Sequence, residues 1–280
     1  MKWSLSQILL GAGLVLSMSA PLHAGPVPSG LSISAWVGLD TGNSKDPVGG
    51  ASQSGSIFHS NSSPGSSSFS GSPASLSPSS LSANLLQTGD SFGASFSMSG
   101  STGNFTTVQT DGLFADFSLN LVNSSLSETF TVLFRVDTRN AVNVDGRDAF
   151  AFSDLSIKDA DLNELYYTDY QADSLNPGNN RAENSLDDSF SLILAPGQSL
   201  AISGLQRQRG GAFGDGSSSY SASLFSTILL EEVRSSGGNN QIPLPGSLPL
   251  ALIALLGGAW ALQRRAHPAS PLAPPVQERS

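Results

Sequence analysis

Cysteine is absent from the 280 residues, and histidine occurs three times. Without thiols the chain has no disulfide framework, no thiolate nucleophile and no Cys-ligated metal. His23 and His267 lie near the two ends and His59 sits in a serine-rich stretch. A Ser-His-Asp relay would have only His59 to use, and a His-based zinc site would be short of ligands. Charge is scarce too, at 12% of residues, with a formal net charge of −9. Between residues 25 and 241 the imbalance is larger, about −12, so nucleic acid is a poor partner. No Gly-x-Ser-x-Gly elbow stands between a strand and a helix, and no glycine-rich loop opens a helix to cradle phosphate. These gaps point away from an enzyme, and no cofactor or metal is expected.

Small polar residues take the place of charge. Glycine contributes 29 residues and proline 16, and serine makes up roughly a fifth of the chain, a composition that favours turns and strands. Apolar residues recur in steps of two. Leu31, Ile33, Ala35 and Val37 alternate with small or polar neighbours, as do Phe117, Leu119 and Leu121, then Phe130, Val132, Phe134 and Val136. The last two runs, parted by a turn at Asn123-Ser124-Ser125, read as a hairpin pair or as sandwich neighbours. Phe150 to Ile157 predicts a strand that turns at Asp159-Ala160-Asp161 and returns through Leu165 to Tyr167. Phe190, Leu192 and Leu194 lead to a turn at Ala195-Pro196-Gly197-Gln198, and Tyr220 to Leu230 makes the longest alternating run.

No amphipathic helix interrupts this series. It predicts an all-β ectodomain over residues 25–234, an antiparallel β-sandwich of jelly-roll or Ig-like type. About 51–82, where half the residues are serine, reads as a flexible insertion with too few apolar groups to offset ordering entropy. Asn176 to Asn184 and Gln206 to Gly216 read as loops. Residues 235–241 read as a polar linker.

Two residue groups carry candidate chemistry. Asp159-Ala160-Asp161-Leu162-Asn163 opens like an oxygen-ligand calcium loop, but Glu164 and Tyr170 stand where that loop needs glycine and a bidentate glutamate, so a hairpin turn is expected. Asp145, Asp148 and Asp154, or Asp187 and Asp188, are other acidic candidates, with solvated loop charge the default. Among aromatic residues, Tyr166, Tyr167 and Tyr170 are placed to stack on sugar rings if they share a face with each other or with Trp36 and Tyr220.

Both ends read as addresses. Lys2 followed by the apolar run Ile8 to Leu16 and the small-residue boundary at Ala24 predicts a secretory signal peptide cut after Ala24. At the other end stand Pro243-Leu244-Pro245-Gly246, an apolar run from Leu248 to Leu262, and Arg264-Arg265. That run is about 15 residues, or about 21 from Ile242, near the roughly 20 that cross a bilayer. The arginine pair would stay cytoplasmic, leaving the preceding residues outside the inner membrane.

This order of proline motif, apolar helix and basic cluster over 242–265 resembles the PEP-CTERM sorting signal, with Pro243-Leu244-Pro245 where the family has Pro-Glu-Pro. The resemblance implies a transient inner-membrane anchor, an exosortase-like processing partner, association with exopolysaccharide, and delivery to the cell surface or extracellular matrix. Residues 266–280 read as a disordered tail.

Overall fold

The structure, a computed structural model, describes residues 25–103, 107–176, 181–214 and 217–236. The signal peptide, the sorting motif with its apolar run, the tail and most of the linker lie outside the described residues. Among the described residues no helix is long and apolar enough to cross a membrane.

Among the described residues, period-two alternation is realised as twelve strands. They are β1 (Leu31–Leu39), β2 (Ser52–Ser60), β3 (Gly65–Ser70), β4 (Ser80–Asn84), β5 (Ser91–Ser101), β6 (Val108–Asn123), β7 (Thr129–Asp145), β8 (Ala149–Asp159), β9 (Glu164–Asp173), β10 (Arg181–Leu194), β11 (Ser199–Ala212) and β12 (Ser219–Ser236). Two antiparallel six-stranded sheets result. Sheet I runs β4-β1-β6-β11-β8-β9 and sheet II runs β10-β7-β12-β5-β2-β3. The fold is therefore all-β, as the alternation predicts, with the inward faces of both sheets closing over one interior. Strands β6 and β7 fall in opposite sheets, so of the two expectations for them the sandwich-neighbour one holds.

Inward residues of β1 (Leu31, Ile33, Ala35, Val37) meet those of β6 (Phe117, Leu119, Leu121), β7 (Phe130, Val132, Phe134, Val136) and β12 (Leu224, Ile228, Leu230) in one buried cluster. Each large side chain fully buried there contributes about 1.5–3 kcal/mol. A second cluster holds Met98, Val142, Val144, Ala149, Ala151, Tyr220 and Ala222.

A polar belt lies between the two clusters. Along β7 the inward series passes from Val136 through Thr138 and Asn140 to Val142, and along β8 from Leu155 through Ser153 to Ala151. Gln206 and Gln208 of β11 and Ser226 of β12 continue it, all buried. Its groups satisfy one another. Ser226 donates to Gln206 Oε1, Gln206 Nε2 donates to the Leu224 carbonyl at 3.2 Å, and the Gln208 amide oxygen accepts from Leu224 N at 2.8 Å. Ser153 bonds Asn140 side chain to side chain. A buried polar group left without such a partner would cost about 1–3 kcal/mol.

Four sequence expectations are corrected. The stretch 51–82 is not a flexible insertion: β2 pairs with β5 and β3 with β2, while β4 pairs with β1. Composition misleads there because the serines alternate with Ile57, Phe69 and Leu76, which are buried, and because the ladder with β5 satisfies the backbone. The loop expected over 176–184 gives way to β10 at Arg181, which pairs with Asn143. The loop expected over 206–216 is strand as far as Ala212, its two glutamines accepted inside by the belt. The linker is shorter than expected, since Ser235 and Ser236 still pair with Phe130 and Thr129.

Candidate functional site

Strand β9 places the three tyrosines on different surfaces. Tyr166 points inward, 6% exposed, and its hydroxyl shares a hydrogen bond with Thr138 Oγ1 at 2.9 Å. Burial pushes its pKa up, and the Thr138 bond only partly offsets this. Tyr170 lies on the same inward side, half-buried against the second apolar cluster. Tyr167 alone faces out, 46% exposed. A shared stacking platform of the three is therefore not formed: odd and even positions of one strand face opposite sides. Tyr220 is buried, bonded to Thr110 at 3.1 Å. Trp36 lies on the outer side of sheet I, its ring against Gly38, where a Cβ would stand 2.4 Å from the ring carbon.

Around Tyr167 the outer face of sheet I holds a shallow depression of about 500 Å³. Strand register assembles it in rows. Asp116, Leu205, Ser156 and Tyr167 lie side by side across β6, β11, β8 and β9, flanked by Ser203, Lys158 and Glu164 on one side and by Arg207, Asp154 and Asp169 on the other. Arg207 grips Asp154 with both arms of its fork, Nε to Oδ1 at 2.9 Å and a terminal nitrogen to Oδ2 at 2.8 Å. Its guanidinium also lies 5.0 Å over the Phe152 ring. The Asp154 side chain is 6% exposed and that of Arg207 35%.

Electrostatics differ along these rows. The bond to Asp154 raises the Arg207 pKa despite partial burial. Burial raises that of Asp116, with help from the Asp40 charge. Burial raises that of Tyr167 as well, followed by Asp169 and Asp154. The floor thus offers an aromatic ring, a locked planar guanidinium, the Lys158 ammonium as donor and the Glu164 carboxylate as acceptor, a mix suited to hydroxyl-rich ligands.

The outer face of sheet II has another character. Register aligns Ser70, Ser54, Ser97 and Ser223 across β3, β2, β5 and β12, and beside them Ser68, Ser56 and Ser95, and Ser52, Ser99 and Ser221. The spacing is about 4.8 Å between strands and about 6.7 Å along them, the pitch of the pleat. Phe58 and Phe225 stack at 5.7 Å at its margin.

The acidic turn is a turn. Asp159 Oδ1 accepts from the backbone N–H groups of Asp161 and Asn163, and Oδ2 accepts from Asn163 Nδ2 at 2.8 Å. Leu162 takes a φ of 65° to close it. The Asn163 bond, with these N–H donors, holds the Asp159 carboxyl below its ordinary range. Among the described residues no three acidic or histidine side chains gather as a metal set. His59 sits on the inward side of β2 against Gly65, its Nδ1 buried without a partner.

Sequence reasoning missed the Phe152, Asp154 and Arg207 assembly. The signal was the alternation of Phe152, Asp154, Ser156 and Lys158 with Ala151, Ser153, Leu155 and Ile157, which marks an outward polar row.

No protein-family model matches the chain, and no curated protein sequence does. Among solved structures it is similar to the infectious bursal disease virus VP2 subviral particle, with 10% identity and a TM-score of 0.18 over 82% of this chain and 72% of that one. Secreted serine protease VesC from Vibrio cholerae matches at 10% identity and a TM-score of 0.14, over 76% of this chain and 48% of that one. At these scores neither likeness carries an argument.

Proposed function

We propose that the chain is an exported, non-enzymatic protein of the cell surface or extracellular matrix, sorted by a PEP-CTERM and exosortase type of system and associated with exopolysaccharide. In this reading a signal peptide ending at Ala24 and a membrane helix within 242–265 bracket a jelly-roll-like or Ig-like sandwich that works by contact. The observation that supports contact is the outer face of sheet II, where four strands align serine hydroxyls in register. Such a surface matches hydroxyl-rich polymers and repels few neutral partners. Fractionating the producing cells, with mass spectrometry of the mature protein, tests it. Material outside the inner membrane should begin at Gly25 and lack Arg264-Arg265; arginines retained on every mature molecule would refute processing.

The depression around Tyr167 favours a second reading, a carbohydrate-binding module, with or without calcium. On a glycan array Tyr167→Ala should abolish binding, and chelator should reveal any calcium requirement. Silence of the unmodified protein on every glycan would count against this reading.

A further inference from the structure

Among the described residues four strands stand at sheet edges, and they are not equally protected. Strand β9 lies beside β10 at one end of the sandwich and β3 beside β4 at the other. The first pair carries Glu164, Asp169, Asp173, Glu183, Asp187 and Asp188, the charged guard that keeps an edge from pairing with another chain. The second pair has none. From residue 51 to 89 there is no Asp, Glu, Lys or Arg, and β3 itself reads Gly-Ser-Ser-Ser-Phe-Ser without proline.

The free side of β3 is read from its bonded side. Gly71 N donates to the Gln53 carbonyl at 2.8 Å, one step beyond the Ser54–Ser70 pair in the same register. Bonded pairs alternate in an antiparallel ladder, so Phe69, Ser67 and Gly65 also bond toward β2. Ser66, Ser68 and Ser70 therefore turn their backbone N–H and C=O groups away from β2, and all three are exposed. No described strand pairs with β3 on that side.

We propose that two copies of this chain join edge to edge through β3, antiparallel about Ser68. Only this register uses all three outward residues: Ser68 opposes Ser68 of the second copy, and Ser66 opposes Ser70 of the second copy, giving about six backbone hydrogen bonds. Symmetry favours a second copy as the occupant, because this register pairs the strand with itself, and charge allows it here. With a formal charge of −9, two chains repel at most approaches, but β3 and β4 carry no ionised side chain, and Asp46 beyond the end of β3 is held by the Ser72 hydroxyl at 2.6 Å. Joining also carries the serine rows across the dyad, because Ser68, Ser56 and Ser95 of one copy continue into Ser68, Ser56 and Ser95 of the other. The inference rests on the β3 edge alone and is independent of the export reading.

The cysteine-free chain makes the test direct. The purified full chain, in detergent, is given single cysteines and mildly oxidised. Directly opposed residues in a bonded pair have Cα atoms about 5.5 Å apart, within disulfide reach. Ser68→Cys should cross-link to dimer, Ser66→Cys should not, and Ser66→Cys combined with Ser70→Cys should. No cross-linking of Ser68→Cys, or equal cross-linking of Ser66→Cys and of Ser185→Cys on the β10 edge, overturns the proposal. Sedimentation gives the second readout. Ser68→Pro removes an edge-facing N–H and should weaken the dimer at least about tenfold, while Ser68→Ala should leave it unchanged. If Ser68→Pro does not fold, exposed Ser68→Lys should give the same loss. A folded Ser68→Pro or Ser68→Lys that still dimerises overturns edge pairing, as does a cross-link that forms only to another protein's strand.

Discussion

Removing Arg207 should cost the fold more than removing the acid it holds. Asp154 faces outward in β8, yet its side chain is only 6% exposed between the neighbouring strands β11 and β9, with the Arg207 fork bonded to it. Arg207→Ala leaves that carboxylate short of both fork bonds. Breaking a fully buried pair costs about 3–5 kcal/mol and an exposed one at most about 1; with Arg207 35% exposed, about 2 kcal/mol is expected. Asp154→Ala leaves a guanidinium that swings into water, for about 1 kcal/mol or less. For a sandwich of this size the first loss lowers Tm by roughly 4–8 °C. Urea unfolding of both single variants and of the double variant measures the asymmetry. The double variant should be more stable than Arg207→Ala, since no uncompensated charge remains. Equal losses, or a larger one for Asp154→Ala, would refute the reasoning.

Three further outcomes follow. Ile57→Ala should cost about 2–4 kcal/mol, because Ile57 is fully buried in a stretch that composition marks as loop; a loss under about 0.5 kcal/mol by chemical denaturation would return residues 52–60 to the surface. Tyr166→Phe should cost about 1 kcal/mol through the lost bond to Thr138, whose hydroxyl keeps only its 3.5 Å bond to the Leu186 carbonyl, whereas Tyr167→Phe should be nearly neutral. Asp116 has a raised folded-state pKa, so its contribution is present in full below the ordinary value of 3.8 and is lost as pH rises through the folded value. Asp116→Asn should therefore melt above the parent at pH 7 and lose that advantage near pH 3; an advantage independent of pH would contradict the assignment.

The sheets were legible wherever inward positions are large and apolar, as in β1, β7 and β12. Two kinds of strand escaped. In β2 and β3 the inward set is short, and what stabilises it is the pairing of β2 with β5 and of β3 with β2, the first a long-range fact that local composition does not carry. In β11 the inward set includes Gln206 and Gln208, which only partners on β12 make tolerable inside. The candidate site was legible in kind but not in membership. Aromatic and acidic residues were the right types, yet Tyr166 and Tyr170 belong to the inward side. Arg207 was hidden in a supposed loop, while its partner Asp154 lies in another strand, brought opposite by register.

Whether the sandwich is exported decides the proposed function. A phosphatase reporter that is active only outside the cytoplasm, fused after Gln241 in the full chain, should be active, and the same reporter fused after Arg265 should be silent. Activity confined to the Arg265 fusion would contradict it.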